Sequence, residues 1–305
     1  MRVVSLLPSA TEIVCALGFR ELLVGRSHEC DFPSGLEALP ALTAPKVDPR
    51  AGTEAIDRDV RRLVEQGLSV YRIDTAVLEA LQPDLVLTQD QCEVCAVSLG
   101  DVTAAVARLA RRPVDVVSLS PLSLAAVFDS VRTVARALGA EERGRDLVEE
   151  MKGRLAATAA AVPTGLRRPR VVHVEWIAPL MVGGHWIHAL VEAAGGEHPL
   201  GVRDGMNRPV PWGEVRAYDP EVVVIAPCGF KIGQTERDLP LLEGLPGWSG
   251  TAAARAGRVF LADGNAFFNR PGPRLVDTAE IVQAAAFGRQ AHHRFPPEAL
   301  KPVPA

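Results

Sequence analysis

One stretch near the middle of the chain, residues 123–161, is helical by its pattern and constrains how the rest can fold. Apolar residues recur three or four positions apart from Leu124 to Leu138, which is the spacing of one buried helical stripe. Gly139 suits the end of that helix, and Glu141–Glu142 suits the positive start of a second one. A second helix of about 20 residues would span about 30 Å, the width of a small domain. A helix of that length with a narrow apolar seam predicts a connector between two folded lobes.

The two halves on either side of this stretch share one order of strands, turns and helices. A β-branched strand, Arg2–Leu7, opens the first half, and a similar strand, Arg170–Val174, opens the second. Residues 78–87 and 215–224 both contain a helix end, a turn of proline followed by an acidic residue, and a buried strand. The alternation predicts parallel sheets with helices on both faces, and the repetition predicts two divergent copies of one α/β unit.

The length of 305 residues also favours more than one hydrophobic core. We therefore predict an α/β protein of two Rossmann-like lobes joined by a long backbone helix. The predicted N-terminal lobe is 1–120, the connecting helices are 121–162, and the C-terminal lobe is 163–305. We expect the proline-rich tail after Phe287 to fray.

Composition and charge exclude several classes of function. The formal net charge is −4 and the Lys and Arg residues are scattered, which argues against nucleic-acid binding. No apolar run reaches the roughly 18 residues needed to cross a bilayer, so we expect no membrane insertion. The first strand starts before a signal-peptide apolar region can develop, so the chain as it stands is expected in the cytoplasm. If a leader has been removed, the expected location is extracytoplasmic.

Loops at the carboxyl ends of the strands carry most of the residues suited to ligand binding. Ligands of open parallel sheets bind beyond these strand ends, and two such edges facing each other would form a cleft. Aromatic residues make up only 5% of the chain, yet Trp176, Trp186, Phe267 and Phe268 all fall in such loops. Exposed rings suit a large, flat or apolar ligand, although the same rings could instead cover the sheet ends.

Polar residues in the same loops extend the set of candidate contacts. His185 lies between Gly184 and Trp186 and could coordinate a metal or donate a hydrogen bond. Arg270 stands next to a rigid Pro-Gly-Pro turn and could meet an anionic group. The complete predicted ligand-binding set is His28, Glu29, Gln91, Trp176, His185, Trp186, Phe267, Phe268 and Arg270.

Four of the five cysteines, Cys30, Cys92, Cys95 and Cys228, fall in loops. Thiolates that converge would favour zinc, iron–sulfur or cobalt chemistry, so these residues form a candidate metal site. Cys92 and Cys95 have C-x-x-C spacing, but no second pair of cysteines with that spacing is visible in the sequence. The cysteines could therefore instead be ordinary small loop residues, some of them joined in one local disulfide. The metal interpretation implies a rival function as a Cys/His metal-binding or redox enzyme.

Three segments resemble one family. Arg2–Glu12, Leu81–Leu87 and Phe267–Arg274 are similar to the corresponding segments of the cobalamin-binding and iron-siderophore-binding proteins of ABC importers. The resemblance spans nearly the whole chain and implies the class III substrate-binding architecture, with little hinge motion and a ligand in a shallow cleft. In the cobalamin-binding branch, aromatic loop residues face the corrin, which by position implies the loop 27–32 and the pair Phe267–Phe268 here.

The loops 27–31 and 91–95 resemble those of a subgroup of cobalamin-binding proteins that lack a signal peptide. The sequence thus predicts a substrate-binding protein for a corrinoid, held in the cleft between two lobes, that serves ABC-type uptake or intracellular handling. An ABC permease is then an expected partner, and His28, His185 or a cysteine is a candidate axial ligand or neighbour of the cobalt.

No catalytic motif of the G-x-S-x-G, H-E-x-x-H, Walker or G-x-G-x-x-G type is present, so we predict no enzyme activity. An iron-siderophore binder is a further alternative. Such a protein would need a basic cleft, for which only Arg26, Arg270 and Arg274 are candidates.

Overall fold

The computed structural model describes residues 1–66, 68–89, 98–107 and 113–304. Contacts within the chain define two compact units. The first comprises 1–49, 58–121 and 125–149, and the second comprises 50–57, 122–124 and 150–305. The second unit therefore includes two short segments, 50–57 and 122–124, that come before its main part in the chain. The lobe boundaries predicted from the sequence remain predictions.

Short strands alternate with helices through the N-terminal half. In chain order the elements are β1 (Val3–Ser5), α1 (Pro8–Ala16), β2 (Leu23–Arg26), β3 (Thr43–Pro45), α2 (Thr53–Glu65), β4 (Tyr71–Ile73), α3 (Thr75–Leu81), β5 (Leu85–Gln89), α4 (Leu99–Ala107) and β6 (Asp115–Leu119). A parallel sheet of order β2-β1-β5-β6 lies at the centre of the first unit, and β3 pairs with β4 in a separate antiparallel ribbon. Every residue of β5 is buried, as expected for a parallel strand covered on both faces.

Two helices follow the first sheet. They are α5 (Leu124–Ala137) and α6 (Glu141–Ala160), and Gly139 between them adopts a left-handed φ of +66°. The α6 helix is 20 residues long, so the predicted long helix is confirmed. Residues 141–149 of this helix belong to the first unit and 150–160 to the second.

The second unit contains a five-stranded sheet. Its elements beyond α6 are β7 (Val171–Trp176), β8 (Met181–Val182), α7 (Ile187–Ala193), α8 (Trp212–Tyr218), β9 (Val222–Ile225), α9 (Ile232–Glu243), α10 (Ala252–Arg255), β10 (Val259–Ala262), α11 (Leu275–Phe287) and β11 (Leu300–Pro302). The strand order is β11-β10-β9-β7-β8, in which the inner strands β10, β9 and β7 are parallel and the two edges are antiparallel. The predicted α/β class with two lobes of parallel strands is confirmed.

The expectation of a frayed tail is wrong. The β11 strand pairs with β10, and the backbone N–H of Val303 donates to the carbonyl of Val259 at 2.9 Å. Phe295 packs into the unit with only 2% of its surface exposed. Burial of that ring and the backbone pairing hold the tail in place despite its prolines, because prolines are tolerated at a sheet edge.

None of the described helices combines the length and apolar content needed to cross a bilayer.

Candidate functional site

A short helical turn, Gly264–Phe268, follows β10 and carries two predicted ligand contacts. Phe267 and Phe268 are 4% and 1% exposed. The Phe268 ring stacks on the imidazole of His173 with centroids 4.7 Å apart, and the Trp186 Nε1 donates to the Phe268 carbonyl at 3.0 Å. Trp186 is itself 5% exposed. These three aromatic side chains therefore pack against protein and hold the turn, and they offer little open ring surface in this conformation.

Local chemistry explains why the turn forms at this point. The Asp263 carboxylate accepts a hydrogen bond from the Ala266 N–H at 2.8 Å, which caps the first turn. A Cβ atom at Gly264 would lie 2.1 Å from the carbonyl oxygen of Pro227, so only glycine fits there. The Asn269 side chain donates to the Gly264 carbonyl at 3.0 Å and closes the turn.

Among the four tryptophans and phenylalanines of the predicted ligand-binding set, Trp176, at the end of β7, is the one that keeps part of its surface exposed. Its Nε1 donates to the Ala178 carbonyl at 3.1 Å, and its ring meets the edge of the Phe230 ring at a centroid distance of 5.4 Å. Phe230 is buried, so the indole rests on the core with one side supported. A supported, partly exposed ring of this kind suits stacking against a flat ligand.

His185 has an unusual backbone and an unpaired ring nitrogen. Its φ is +48°, a left-handed conformation that a residue other than glycine seldom adopts. Its N–H donates to the Val202 carbonyl at 3.1 Å, which fixes that conformation. The buried Nε2 has no hydrogen-bond partner, and burial lowers the pKa of the ring, so the imidazole is neutral at pH 7. A neutral imidazole can accept a hydrogen bond or coordinate a metal through its bare nitrogen.

Sequence reasoning passed over Glu175, the neighbour of Trp176 in β7. Burial raises the pKa of Glu175 from 4.5 to about 7, although the side chain of Asn207 and the backbone of Gly184 oppose the shift. Both polar atoms of the Asn207 amide are buried and make no bond of hydrogen-bond geometry. The available signal was a carboxylate within an otherwise apolar or aromatic strand.

His198 was also passed over, and it connects two parts of the same unit. Its Nδ1 lies 3.1 Å from the Val171 carbonyl and its Nε2 lies 2.8 Å from the Gly183 carbonyl. Burial lowers its pKa to about 4, so the ring is neutral at pH 7 and donates to one of these carbonyls at a time. The ring centroid lies 5.1 Å from that of His188. The contact between His198 Nε2 and the Gly183 carbonyl ties His198 to the segment just before His185.

The two arginines near the aromatic turn have protein partners. Arg270 is 5% exposed, and its Nη2 donates to the Asn265 side-chain oxygen at 3.0 Å. The Arg274 guanidinium lies 5.4 Å from the centroid of the Phe267 ring. Both therefore stabilise the turn through a hydrogen bond or a cation–π contact.

In the first unit, His28 follows β2 and is partly buried. Its Nδ1 lies 2.7 Å from the Thr43 hydroxyl, and its ring lies 5.6 Å from that of Tyr71. Burial, and to a lesser degree Arg26, lowers its pKa to about 4. The next residue, Glu29, donates from its N–H to the Ser27 hydroxyl at 3.3 Å. The loop thus presents a neutral imidazole at pH 7.

The predicted thiol site is only partly covered by the structure. Gln91, Cys92 and Cys95 lie outside the described residues. Cys30 is fully buried and accepts a hydrogen bond from the Thr11 hydroxyl at 3.0 Å, and the backbone N–H of Cys228 donates to the Glu175 carbonyl at 3.1 Å. Within the described ranges, no group of three His, Cys, Asp or Glu side chains could hold a metal ion. The metal site remains a prediction.

Residues 3–266 match the family described as periplasmic binding protein. The chain belongs to that family. The family and its structural neighbours are substrate-binding proteins, not enzymes, in agreement with the predicted absence of catalysis. The two parallel-stranded sheets of this chain form the two α/β lobes of the class III periplasmic-binding-protein fold.

Sequence and structure comparisons give relatives that bind cobalamin (vitamin B12) and relatives that bind heme. This periplasmic binding protein is 27% identical over 280 residues to the cobalamin-binding protein of Halobacterium salinarum. The aligned region covers 90% of this chain and 66% of that relative, which is a little under two thirds of the relative's length. It resembles a heme-binding protein from Pseudomonas aeruginosa with a TM-score of 0.71 and 23% identity, over 100% of this chain and 98% of the other. It resembles the vitamin B12-binding protein of Vibrio cholerae with a TM-score of 0.62 and 18% identity, over 93% of this chain and 95% of the other. The two structural likenesses establish the fold.

Proposed function

We propose that this protein binds a corrinoid, a ligand of the cobalamin type, and serves its ABC-type uptake or intracellular handling. The observation that carries the proposal is the similarity to the Halobacterium salinarum cobalamin-binding protein, because it extends over 90% of the chain. Family membership supports a binding role. The sequence resemblance to the cobalamin-binding branch points to the same ligand.

We assign the ligand contacts to the loops that follow the strands. The proposed set remains His28, Glu29, Gln91, Trp176, His185, Trp186, Phe267, Phe268 and Arg270. Within this set we expect Trp176 to stack directly on the ligand, because its ring is partly exposed and backed by Phe230. We expect Trp186, Phe267 and Phe268 to act mainly by shaping the turn, because their side chains are buried.

His28 and His185 are our candidates for contact with the cobalt. Burial lowers the pKa of both rings, so both are neutral at pH 7 and able to coordinate. The Nε2 of His185 is buried and unpaired, so coordination would require a small movement that exposes it. Replacement of cobalt-bound water by imidazole changes the corrin absorbance, which gives this assignment a direct readout.

Titration of the purified protein with aquacobalamin and with cyanocobalamin, followed by corrin absorbance and calorimetry, tests the proposal. We expect saturable heat with both corrinoids and an absorbance shift confined to aquacobalamin. Trp176→Ala should weaken both affinities at least tenfold. Trp212→Ala is the matched control, since Trp212 lies on α8 and is outside the proposed set. No heat and an unchanged spectrum with either corrinoid would overturn the proposal.

Two alternatives are tested in the same series. Heme and a ferric hydroxamate siderophore are titrated in place of the corrinoid, and tighter binding of either would identify that compound's class as the ligand.

Metal analysis of the wild-type protein and of Cys92→Ser tests the proposed metal site at Cys30, Cys92, Cys95 and Cys228. Stoichiometric zinc or iron that is lost in the variant would favour the metal-binding function.

We further propose an ABC permease as the partner for uptake. Members of this family are typically extracytoplasmic. The alternative is a role in intracellular handling. Fractionation of cells that express the natural gene distinguishes the two locations.

A further inference from the structure

A cavity of about 550 Å³ lies in the second unit, and its lining residues include none of those assigned to the corrinoid. It is lined by β10, the end of α11 and the tail that carries β11, and it is open to solvent. Its lining combines two basic side chains with four large apolar ones, which are Arg258, Arg289, Phe260, Phe287, Phe295 and Leu300. Its volume falls within the range of about 300–1,000 Å³ that small-molecule sites occupy.

Most of the residues that line the cavity are apolar. Phenylalanine rings come from three separate segments, with Phe260 on β10, Phe287 at the end of α11 and Phe295 in the tail. Ala284–Ala286 of α11 form the rest of the helix side, and all three alanines are buried. A short aliphatic chain is the kind of group that such a lining would remove from water.

Two arginines line the same cavity, and none of the described residues that line it is acidic. Arg258 donates from Nη2 to the Ala286 carbonyl near the end of α11. Arg289 donates from Nη2 to the Phe295 carbonyl at 2.6 Å, and its guanidinium lies 4.4 Å from the centroid of the Phe295 ring. Among the residues that the structure describes, neither arginine forms an ion pair with a carboxylate.

The positive charge at the cavity is therefore not neutralised within the described chain. A guanidinium has five N–H donors, and the contacts above use one from each arginine. The remaining donors suit a carboxylate, which guanidinium groups bind through paired hydrogen bonds. Apolar walls beside two such groups are complementary to a molecule with an apolar body and one anionic end.

We propose that this cavity binds a small amphipathic carboxylate, with its apolar body among Phe260, Phe287 and Phe295 and its carboxylate at Arg258 and Arg289. The site lies on different residues from the corrinoid contacts. The inference stands whether or not the protein binds a corrinoid.

Calorimetry with octanoate and with 1-octanol tests the proposal, because the two share an apolar chain and differ in charge. We expect octanoate to bind the wild-type protein at least tenfold more tightly than 1-octanol. Arg289→Gln should weaken octanoate at least fivefold and leave 1-octanol unchanged. Arg255→Gln is the matched control, since Arg255 is an exposed arginine of α10 that does not line the cavity.

A second variant locates the apolar part of the site. Leu300→Ala should weaken octanoate and 1-octanol by a similar factor, and circular dichroism confirms that the variant is folded. Octanoate affinity should be the same with and without cyanocobalamin. Absent octanoate binding, equal affinities for the two probes, an unchanged Arg289→Gln variant, or competition by cyanocobalamin would each overturn the proposal.

Discussion

The indole Nε1 of Trp186 donates a hydrogen bond to the backbone carbonyl of Phe268 across 3.0 Å, and both side chains are buried. Phe268 in turn stacks on His173 of β7. This contact joins the segment after β8 to the turn after β10, two loops separated by 82 residues in the chain. It makes the aromatic turn part of the packed body of the second unit.

We predict that Trp186→Phe destabilises the protein by about 1–2 kcal/mol, because it leaves a buried carbonyl without its donor. Chemical denaturation measures the free energy of unfolding. Trp212→Phe is the control, because its indole also donates to a backbone carbonyl, that of Pro246 at 2.9 Å, but at the surface. We expect that change to cost less than about 0.5 kcal/mol. Equal losses in the two variants would contradict the structural role of Trp186.

The raised pKa of Glu175 predicts a pH dependence of stability. Between pH 4.5 and about 7 the folded chain holds a proton on Glu175 that the unfolded chain has lost. This contribution to stability therefore falls as the pH rises through that window, and its loss is complete above the folded pKa. We expect Glu175→Gln, which is neutral at every pH, to gain roughly 1–3 kcal/mol relative to wild type between pH 5 and pH 8.

The control variant for Glu175→Gln is expected to change stability with pH in the opposite direction. Glu192 is exposed, and its hydrogen bond with Arg203 lowers its pKa. Glu192→Gln should therefore lose a little stability relative to wild type as the pH rises past the unfolded pKa. Measuring unfolding at pH 5 and pH 8 for all three proteins decides the matter, and a pH-independent Glu175→Gln difference would refute the assignment.

Two glycines of α6 should respond in opposite directions to alanine. A Cβ atom at Gly144 would lie 2.4 Å from the Cβ of Ala135 on α5, whereas a Cβ atom at Gly153 would meet nothing within 4 Å. Alanine is favoured over glycine in a helix by about 1 kcal/mol, so we expect Gly153→Ala to stabilise the protein. Gly144→Ala should destabilise it by about 1–3 kcal/mol through overpacking. Thermal unfolding of the two variants checks this prediction, and stabilisation by both would show that α5 and α6 are not closely packed at this point.

A buried carboxylate supports the start of α2. Asp238 of α9 is 8% exposed and accepts a hydrogen bond from the Thr53 N–H at 2.6 Å, and both residues belong to the second unit. Loss of this partner at a helix N-terminus should cost about 1–2 kcal/mol, so we predict that Asp238→Ala lowers the free energy of unfolding by that amount. Asp129→Ala, which removes an exposed carboxylate paired with Arg132, should change it by less than about 0.5 kcal/mol.

Much of the fold was predictable because its signals are local. Three signals can be recognised from residues within one or two helical turns of one another, and all three correspond to features of the structure. They are the apolar stripe from Leu124 to Leu138, the glycine at 139 and the acidic start of α6. The alternation of apolar strands with helices likewise predicts parallel sheets without knowledge of distant contacts. The prediction of a frayed tail after Phe287 was wrong because β11 pairs with β10, a strand about 40 residues earlier in the chain.

The candidate site was less predictable, because the exposure of a loop side chain is not periodic in the sequence. Composition placed Trp176, Trp186, Phe267 and Phe268 together as loop aromatics, and only packing separates the partly exposed Trp176 from the three buried ones. Burial by residues from distant parts of the chain likewise shifts the pKa of Glu175 and of His198, against the effect of their hydrogen bonds. The sequence by itself determined the two α/β lobes and their long helix, since periodicity and turn residues act over a few positions. Tertiary structure alone decided which loop side chains face solvent, because burial depends on residues that folding brings together from distant parts of the chain.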